Sequence, residues 1–352
     1  MKSAPALIAI LLAAPACSGD DSSDTGADAT YQQEVVTGMH DALLTDVQAL
    51  HSAAVDLQTA APVPTDRGWD ATQDAAAITA MTNAWLKARA SYERTEGALA
   101  PLFPDTDAAI DARYDDFLEG KPSGDQNLFD NEGVTGMHAI ERILFAPKTP
   151  AGVIEVESLI PGYKKADWPA SEAEARAFKN ELCDQLVKDT QDLADQWQQQ
   201  QTFDLAGAFN GLISLMNEQR EKVSKAASQE EESRYAQRTL ADLRDNLAGT
   251  KRIYSLFQTW LMSKSKGAAI DADIEASFAS LDTTYKSFNG DAIPEPSATW
   301  SAETPSAADL QTPFGKLYSA VNKAVDPNVS GSAVDGMNRA ANALGFPELV
   351  EE

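Results

Sequence analysis

The stretch "GVTGMHAIERILF", residues 133–145, sets the first constraint on the fold. Ala139, Ile140, Ile143, Leu144 and Phe145 surround His138 and Glu141 with apolar side chains, so much of this segment reads as a buried helix. A helix that is apolar on most sides must be enclosed by other elements. Gly133 and Gly136 open it and let another backbone approach closely. His138, one of only three histidines, lies three residues before Glu141, so on a helix the two share a face with β-carbons about 5–6 Å apart. An imidazole nitrogen and a carboxylate oxygen so placed can meet on one metal ion. Mixed nitrogen and oxygen ligation suits iron, zinc, copper or manganese better than calcium. The alternative is an ordinary helix contact between neighbouring side chains. Two ligands are too few for a metal, and the rest must come from a neighbouring helix.

The neighbour expected to supply them is "NAWLKARASYERTEGAL", residues 83–99. Trp85, Arg89, Tyr92, Glu93 and Glu96 recur there at helical spacing, which brings a cation, a phenol and two carboxylates onto one surface. The bland version is an Arg89–Glu93 pair at i, i+4 beside a buried Trp and Tyr. "PDTDAAIDARYDDF" adds Asp107 and Asp111, again four apart. Buried together, these acids repel one another unless Arg89 or a bound cation compensates. Other chemistries are missing from the chain. There is no HExxH, paired-cysteine zinc motif, phosphate loop, dinucleotide fingerprint or GxSxG elbow. The ExxH motif of di-iron bundles is also absent, because Thr37, Gln48 and Thr135 stand three residues before the histidines.

Around these segments the whole chain reads as helical. Strand-like alternation is absent, and the fold class expected is all-α, two packed antiparallel helical bundles. Helices are expected over about 31–60, 70–100, 106–119, 132–145, 172–201, 205–227, 230–264, 269–289, 306–325 and 331–344. The longest irregular stretch is 149–171, which places a first bundle at 31–160 and a second at 161–352. Ser171 with Glu174 forms a capping box for the helix that follows.

Residues 1–17, "MKSAPALIAILLAAPAC", have the form of a secretory leader: Lys2, an apolar run, then small residues before a cysteine. A cysteine in that place resembles a bacterial lipobox, making Cys17 the expected lipidation point; plain secretion with nearby cleavage is the other reading. By resemblance to sorted bacterial lipoproteins, Ser18 after the cysteine favours the outer membrane, with the protein facing periplasm or surface. Residues 18–30 are small, polar and acidic and are expected as a disordered tether. Cys183, on the apolar side of a helix, is then the only remaining thiol and is expected in the core. The formal net charge of -26 argues against nucleic acid as a partner and against docking on anionic lipid by charge. It suits cation handling, and equally suits simple solubility.

With these residues in view, "GMHAIERILF" resembles the GxHxxE signature of the imelysin family, carried by Gly136, His138 and Glu141. "AWLKARASYERTE" resembles that family's W…AR..Y..xE helix. In the peptidase-like component of bacterial ferrous-iron uptake systems this helix reads AR..YE..E, which falls on Arg89, Tyr92, Glu93 and Glu96. "ESRYAQRTLADLRDNLAGTKRIY", 232–254, is similar to a second-domain block through Ser233, Tyr235, Thr239 and Asp242, although Ala236, Gln237, Arg238 and Leu240 depart from it. The resemblance covers about 80–255 in the right order. It implies an all-helical protein of two bundle-like domains with a site between or near them. It also implies surface or periplasmic proteins linked to iron acquisition, with a founding member described as an insulin-cleaving metallopeptidase.

Two working readings follow, with a third kept beside them. The first is an envelope-anchored protein that binds a divalent or ferric ion, iron foremost and zinc or copper next, through His138, Glu141, Glu93, Glu96, Asp107 and Asp111. Arg89, Tyr92 and Gly136 would support that site, and an iron-uptake permease or receptor in the envelope would be its partner. The second is a metallopeptidase with zinc on His138 and Glu141 and a carboxylate that activates water. The third is an adhesion or scaffold lipoprotein with a relic site.

Overall fold

The computed structural model describes residues 24–121 and 123–347, so the leader and Cys17 lie outside the described residues. The protein is all-α, and among the described residues there is no strand. A long helix α1 (Asp24–Ala60) is followed by α2 (Ala75–Glu93), α3 (Glu96–Leu102), α4 (Pro104–Asp111), α5 (Tyr114–Gly120) and α6 (Gly136–Leu144). After α7 (Ala151–Glu157), α8 (Glu172–Ala177) runs through a π turn into α9 (Cys183–Gln199). The remainder is α10 (Leu205–Lys225), α11 (Thr239–Met262), α12 (Gly267–Lys286), α13 (Pro313–Val325) and α14 (Ala333–Leu344).

The apolar stripe of α1 explains its length. Val35, Met39, Leu43, Val47, Leu50, Ala54 and Leu57 are all buried at three- and four-residue intervals. Each large one contributes about 1.5–3 kcal/mol of burial. Against this stripe lie α2 and α9, and Cys183 is buried at the start of α9 as a small apolar side chain. The helices α10 to α14 form the second bundle, with α11 packing on both sides of the division. Residues 149–171, expected as irregular, hold α7 at Ala151–Glu157, and α9 beyond them returns to α1. Gln58 Nε2 donates to Asp184 and Trp197 Nε1 donates to His40 O. The first bundle therefore draws α9 from beyond residue 160.

Four local departures bear on the site or its surroundings. Helix α1 starts at Asp24, inside the expected tether, and Asp28 accepts from Trp260 Nε1 and Lys264 Nζ. The helix expected over 70–100 breaks after Glu93, where Asn246 Nδ2 donates to the Glu93 carbonyl at 3.0 Å and Thr95 Oγ1 donates to Tyr92 O. The helix expected over 106–119 is two helices, because Ala112 and Arg113 are extended. The one expected from 230 begins at Thr239 instead: Gln229 and Gln237 hold left-handed backbone (φ 65° and 54°), and the residues between them turn inward. The Ser171 cap is as expected, with Ser171 Oγ accepting from Glu174 N, while Glu174 returns to Ala170 N.

Candidate metal centre

The site lies where the two bundles meet, and α6 is its floor. All nine residues of α6 are buried. Trp85 of α2 pins it, donating from Nε1 to Met137 O at 2.9 Å and packing edge-on against Phe145. Gly136 sits at φ 82°, and a Cβ there would collide with the carbonyl oxygens of Ala109 and Ile110. Only glycine fits such close approach in left-handed backbone. That approach brings the end of α4, and so Asp111, beside His138.

His138 Nδ1 shares a hydrogen bond of 2.8 Å with Glu141 Oε2. Its Nε2 faces Asp111 Oδ1 at 3.4 Å and is a buried atom without a hydrogen-bond partner. Glu141 has no oxygen to spare, since Oε1 accepts the Tyr235 and Ala236 N–H groups at 3.1 and 2.8 Å. Those N–H groups come from the inward turn at 230–238, which also delivers Glu232. Ligand atoms of Asp111, His138 and Glu232 all lie within 4.8 Å of one another, and so do those of Glu93, Glu96 and Glu232.

Arg89 runs through the middle of these acids. Its guanidinium is fully buried, pairs with Glu93 and Asp111, reaches Glu232 at 2.7 Å and lies 3.8 Å from Asp242. Tyr92 donates its hydroxyl to Asp107, which is in neither of the two ligand-spaced groups. Asn246 Nδ2 donates to both Glu93 Oε2 and Glu96 Oε2, at 2.6 and 2.9 Å. Lys222 Nζ lies 2.8 Å from Glu232 and 3.5 Å from Glu96.

Burial governs the protonation of these groups. It raises Glu93 and Asp111 well above the usual carboxylate range, against the pull of Arg89. Burial also raises Asp107 to about 6 and Glu141 to about 8. His138 is held well below its usual value, first by burial and then by the Arg89 charge, so at neutral pH it is a neutral imidazole with a lone pair to offer. For Glu232 burial acts upward, but Lys222 and Arg89 outweigh it and keep it ionised. Burial likewise opposes the Arg89 charge, and Asp111, Glu93, Glu232 and Asp242 overcome it.

The structure thus gathers His138, Glu141, Asp111, Glu93 and Glu96 into one network, with Arg89 rather than open space between α2 and α6. Direct facing of His138–Glu141 and Glu93–Glu96 is replaced by a chain running through Asp111, Arg89 and Glu232. Sequence reasoning missed Glu232, Lys222 and Asn246. Glu232 falls in a segment that reads as continuous helix, and the left-handed turns that swing it inward occur at glutamines, which carry no turn signature.

The chain belongs to the imelysin family: the family model, peptidase M75 or imelysin, matches residues 27–321. A lipoprotein of Staphylococcus haemolyticus described as of the Efem/EfeO family is 28% identical over 332 residues, which cover 91% of this chain and 98% of that one. The iron uptake system component EfeM of Pseudomonas syringae is 28% identical over 205 residues, and the match covers 57% of each chain. Among solved structures, an iron-regulated protein A precursor from Parabacteroides distasonis aligns over 90% of this chain and 94% of its own, with a TM-score of 0.52 and 14% identity. That likeness is one of fold.

Proposed function

We propose that this protein is an envelope protein of iron acquisition that captures a metal ion, iron foremost, at the junction of its two bundles. The observation that carries the reading is the unpartnered, buried Nε2 of a neutral His138 turned toward Asp111, with Glu232 in ligand range. His138 Nε2, Asp111 and Glu232 are the direct ligands in this reading. Glu93 and Glu96 stand behind them as a second carboxylate pair. Glu141 orients the imidazole through Nδ1, the usual task of a carboxylate behind a metal-bound histidine. A nitrogen with two carboxylate oxygens suits iron, and also zinc or copper.

The names of the relatives support iron uptake as the setting, and with it a separate permease or receptor in the envelope as the recipient of the ion. Anchoring through a lipid on Cys17 belongs to the same proposal; Cys17→Ser should move the protein out of the membrane fraction. Capture is favoured over peptide hydrolysis because Glu141, which the peptidase reading needs as a zinc ligand, has both oxygens committed to His138 and the 235–236 backbone. The test is thermal unfolding with added Zn2+ or Fe2+. A ligand that binds only the folded state at a hundredfold excess over Kd adds about 2.7 kcal/mol. Wild type should gain that stability and His138→Ala should not. An equal response in both proteins, or none in wild type, defeats the reading, and metal-dependent cleavage of an unstructured peptide would turn it toward hydrolysis.

A further inference from the structure

His138 and Glu232 are buried, so an ion needs a way in to them. One cavity shares a wall with it: a space of about 290 Å³ lined by Arg113, Glu218, Glu221, Lys222, Lys225 and Glu232, all of them charged. Much of its wall is the aliphatic stems of these side chains, but every polar group facing it is charged, three acids against three cations, so an entering cation finds carboxylates whose present partners are side-chain cations. Its outer rim is Glu221, an exposed side chain paired with Lys225 at 2.8 Å. Its inner wall is Glu232, the residue that belongs to both ligand-spaced groups, Asp111–His138–Glu232 and Glu93–Glu96–Glu232.

Lys222 stands between the two spaces. Its ammonium sits against Glu232 at 2.8 Å and Glu96 at 3.5 Å, and donates to Asn246 Oδ1 at 3.3 Å. Three oxygens around one positive charge is the arrangement a small metal cation would take at that spot. Lysine is suited to such a stand-in role: its charge is a compact point on a flexible four-carbon stem, and rotation of that stem can carry the ammonium away without moving the backbone. The fixed guanidinium of Arg89, gripped by four carboxylates, has no such freedom.

We propose that the cavity at Glu218 and Glu221 is the port through which the metal cation reaches the site, and that Lys222 is the exchangeable counter-cation that closes it. The proposal rests on the metal-site reading above. An incoming ion is drawn to Glu218 and Glu221, meets Glu232 and Glu96 as the ammonium swings outward into the cavity, and passes on to Asp111 and His138. Glu96 and Glu232 keep a cation between them throughout, the ammonium (+1) giving way to the divalent ion (+2), which offsets both carboxylates where the lysine offset one. This keeps the apo site from collapsing and makes uptake an exchange rather than a simple filling.

The experiment is stopped-flow uptake of Zn2+ from a chromogenic zinc chelator by the full chain. The variants are Lys222→Met, Lys222→Arg, the double variant Glu218→Gln with Glu221→Gln, and His138→Ala, with folding of each checked by thermal unfolding. Port residues remote from the final ligands should slow association and dissociation by the same factor. The double variant should therefore lose about tenfold in both rates and keep the wild-type Kd. Lys222→Met should associate faster and bind more tightly, and Lys222→Arg should restore slow uptake. Uptake that depends on His138 but keeps wild-type rates in both Lys222→Met and the Glu218/Glu221 variant overturns the port and leaves the metal site standing. If Lys222→Met fails to fold, the double variant alone decides. Absence of His138-dependent uptake in wild type overturns the metal site, and the port with it.

Discussion

His138 and Glu141 are bonded to each other through Nδ1 and Oε2 at 2.8 Å, which leaves only Nε2 to face the acidic cluster. Two residues that share a helix face are thereby given unequal tasks. The first prediction follows from this. Glu141→Gln keeps an oxygen for the Tyr235 and Ala236 N–H groups but cannot give up a proton to become a carboxylate behind a metal-bound imidazole. Removing such a partner costs about 10–100-fold in metal affinity. Isothermal titration with Zn2+ should show that loss with helix content unchanged. Complete loss of binding would instead make Glu141 a direct ligand, and wild-type affinity would make it structural only.

Gly136 gives a second prediction. Its left-handed backbone and its contact with the Ala109 and Ile110 carbonyls both resist a side chain. Gly136→Ala carries the left-handed penalty of about 1–2 kcal/mol, and the collision must in addition push α6 away from α4. Gly290 has nearly the same φ, 81°, with nothing near its missing Cβ, so Gly290→Ala reports the backbone cost alone. The expected result is that Gly136→Ala is clearly less stable than Gly290→Ala in denaturant unfolding. It should also lose its metal response although every ligand is intact. Equal stability of the two would mean the close approach of α4 and α6 is not needed.

Arg89 is the subject of a third. It is a buried cation facing Glu93, Asp111, Glu232 and Asp242, and removing one partner of a buried ion pair costs about 3–5 kcal/mol because the others are left uncompensated. Arg89→Met should be destabilised by that order in the absence of metal. A divalent ion should restore more stability to it than to wild type, since the added charge replaces the one removed. Chemical denaturation with and without Zn2+ measures both numbers. A variant as stable as wild type without metal would show that the acids left behind, Glu232 included, take up protons once the Arg89 charge is gone.

Much of this arrangement is legible in the sequence, for physical reasons that also mark where legibility ends. The α1 stripe, the buried α6 and the Ser171 cap are local patterns, set by side-chain spacing within a few residues. The breaks at 94–95 and 230–238 are set from a distance. Asn246 on α11 takes the Glu93 carbonyl, and Glu141 on α6 takes the Tyr235 and Ala236 N–H groups. Neither partner is near in sequence, and the residues that bend are not glycine or asparagine. Asp111 and His138 stand out as residue types suited to a metal. Glu232 does not, because its place depends on that bend.

The last prediction concerns pH. Burial raises Glu141 from 4.5 to about 8, Asp107 from 3.8 to about 6, and both Glu218 and Glu231 from 4.5 to about 7. A carboxyl whose pKa is higher in the folded state than in the unfolded one holds its proton longer when folded. Its stabilising contribution is complete below the unfolded value and is lost as pH rises through the folded value. The apo protein should therefore melt at progressively lower temperature between about pH 4.5 and 8. Asp115 acts in the opposite sense: burial opposes its charge, but Arg234 and Arg113 outweigh it and hold the carboxyl at about 2. Its contribution is lost only on acidification below the usual carboxylate range, outside this window. Saturating Zn2+ supplies the positive charge that protons otherwise bring to the acids, and it is displaced by those protons at low pH. With metal present, the slope between pH 5 and 8 should flatten or reverse. Scanning calorimetry across that range, with chelator in one series and Zn2+ in the other, reads the difference directly. An apo melting temperature that climbs steadily from pH 5 to 8 would show that these acids are ionised in the folded protein and that the cluster is compensated by Arg89 and Lys222 alone.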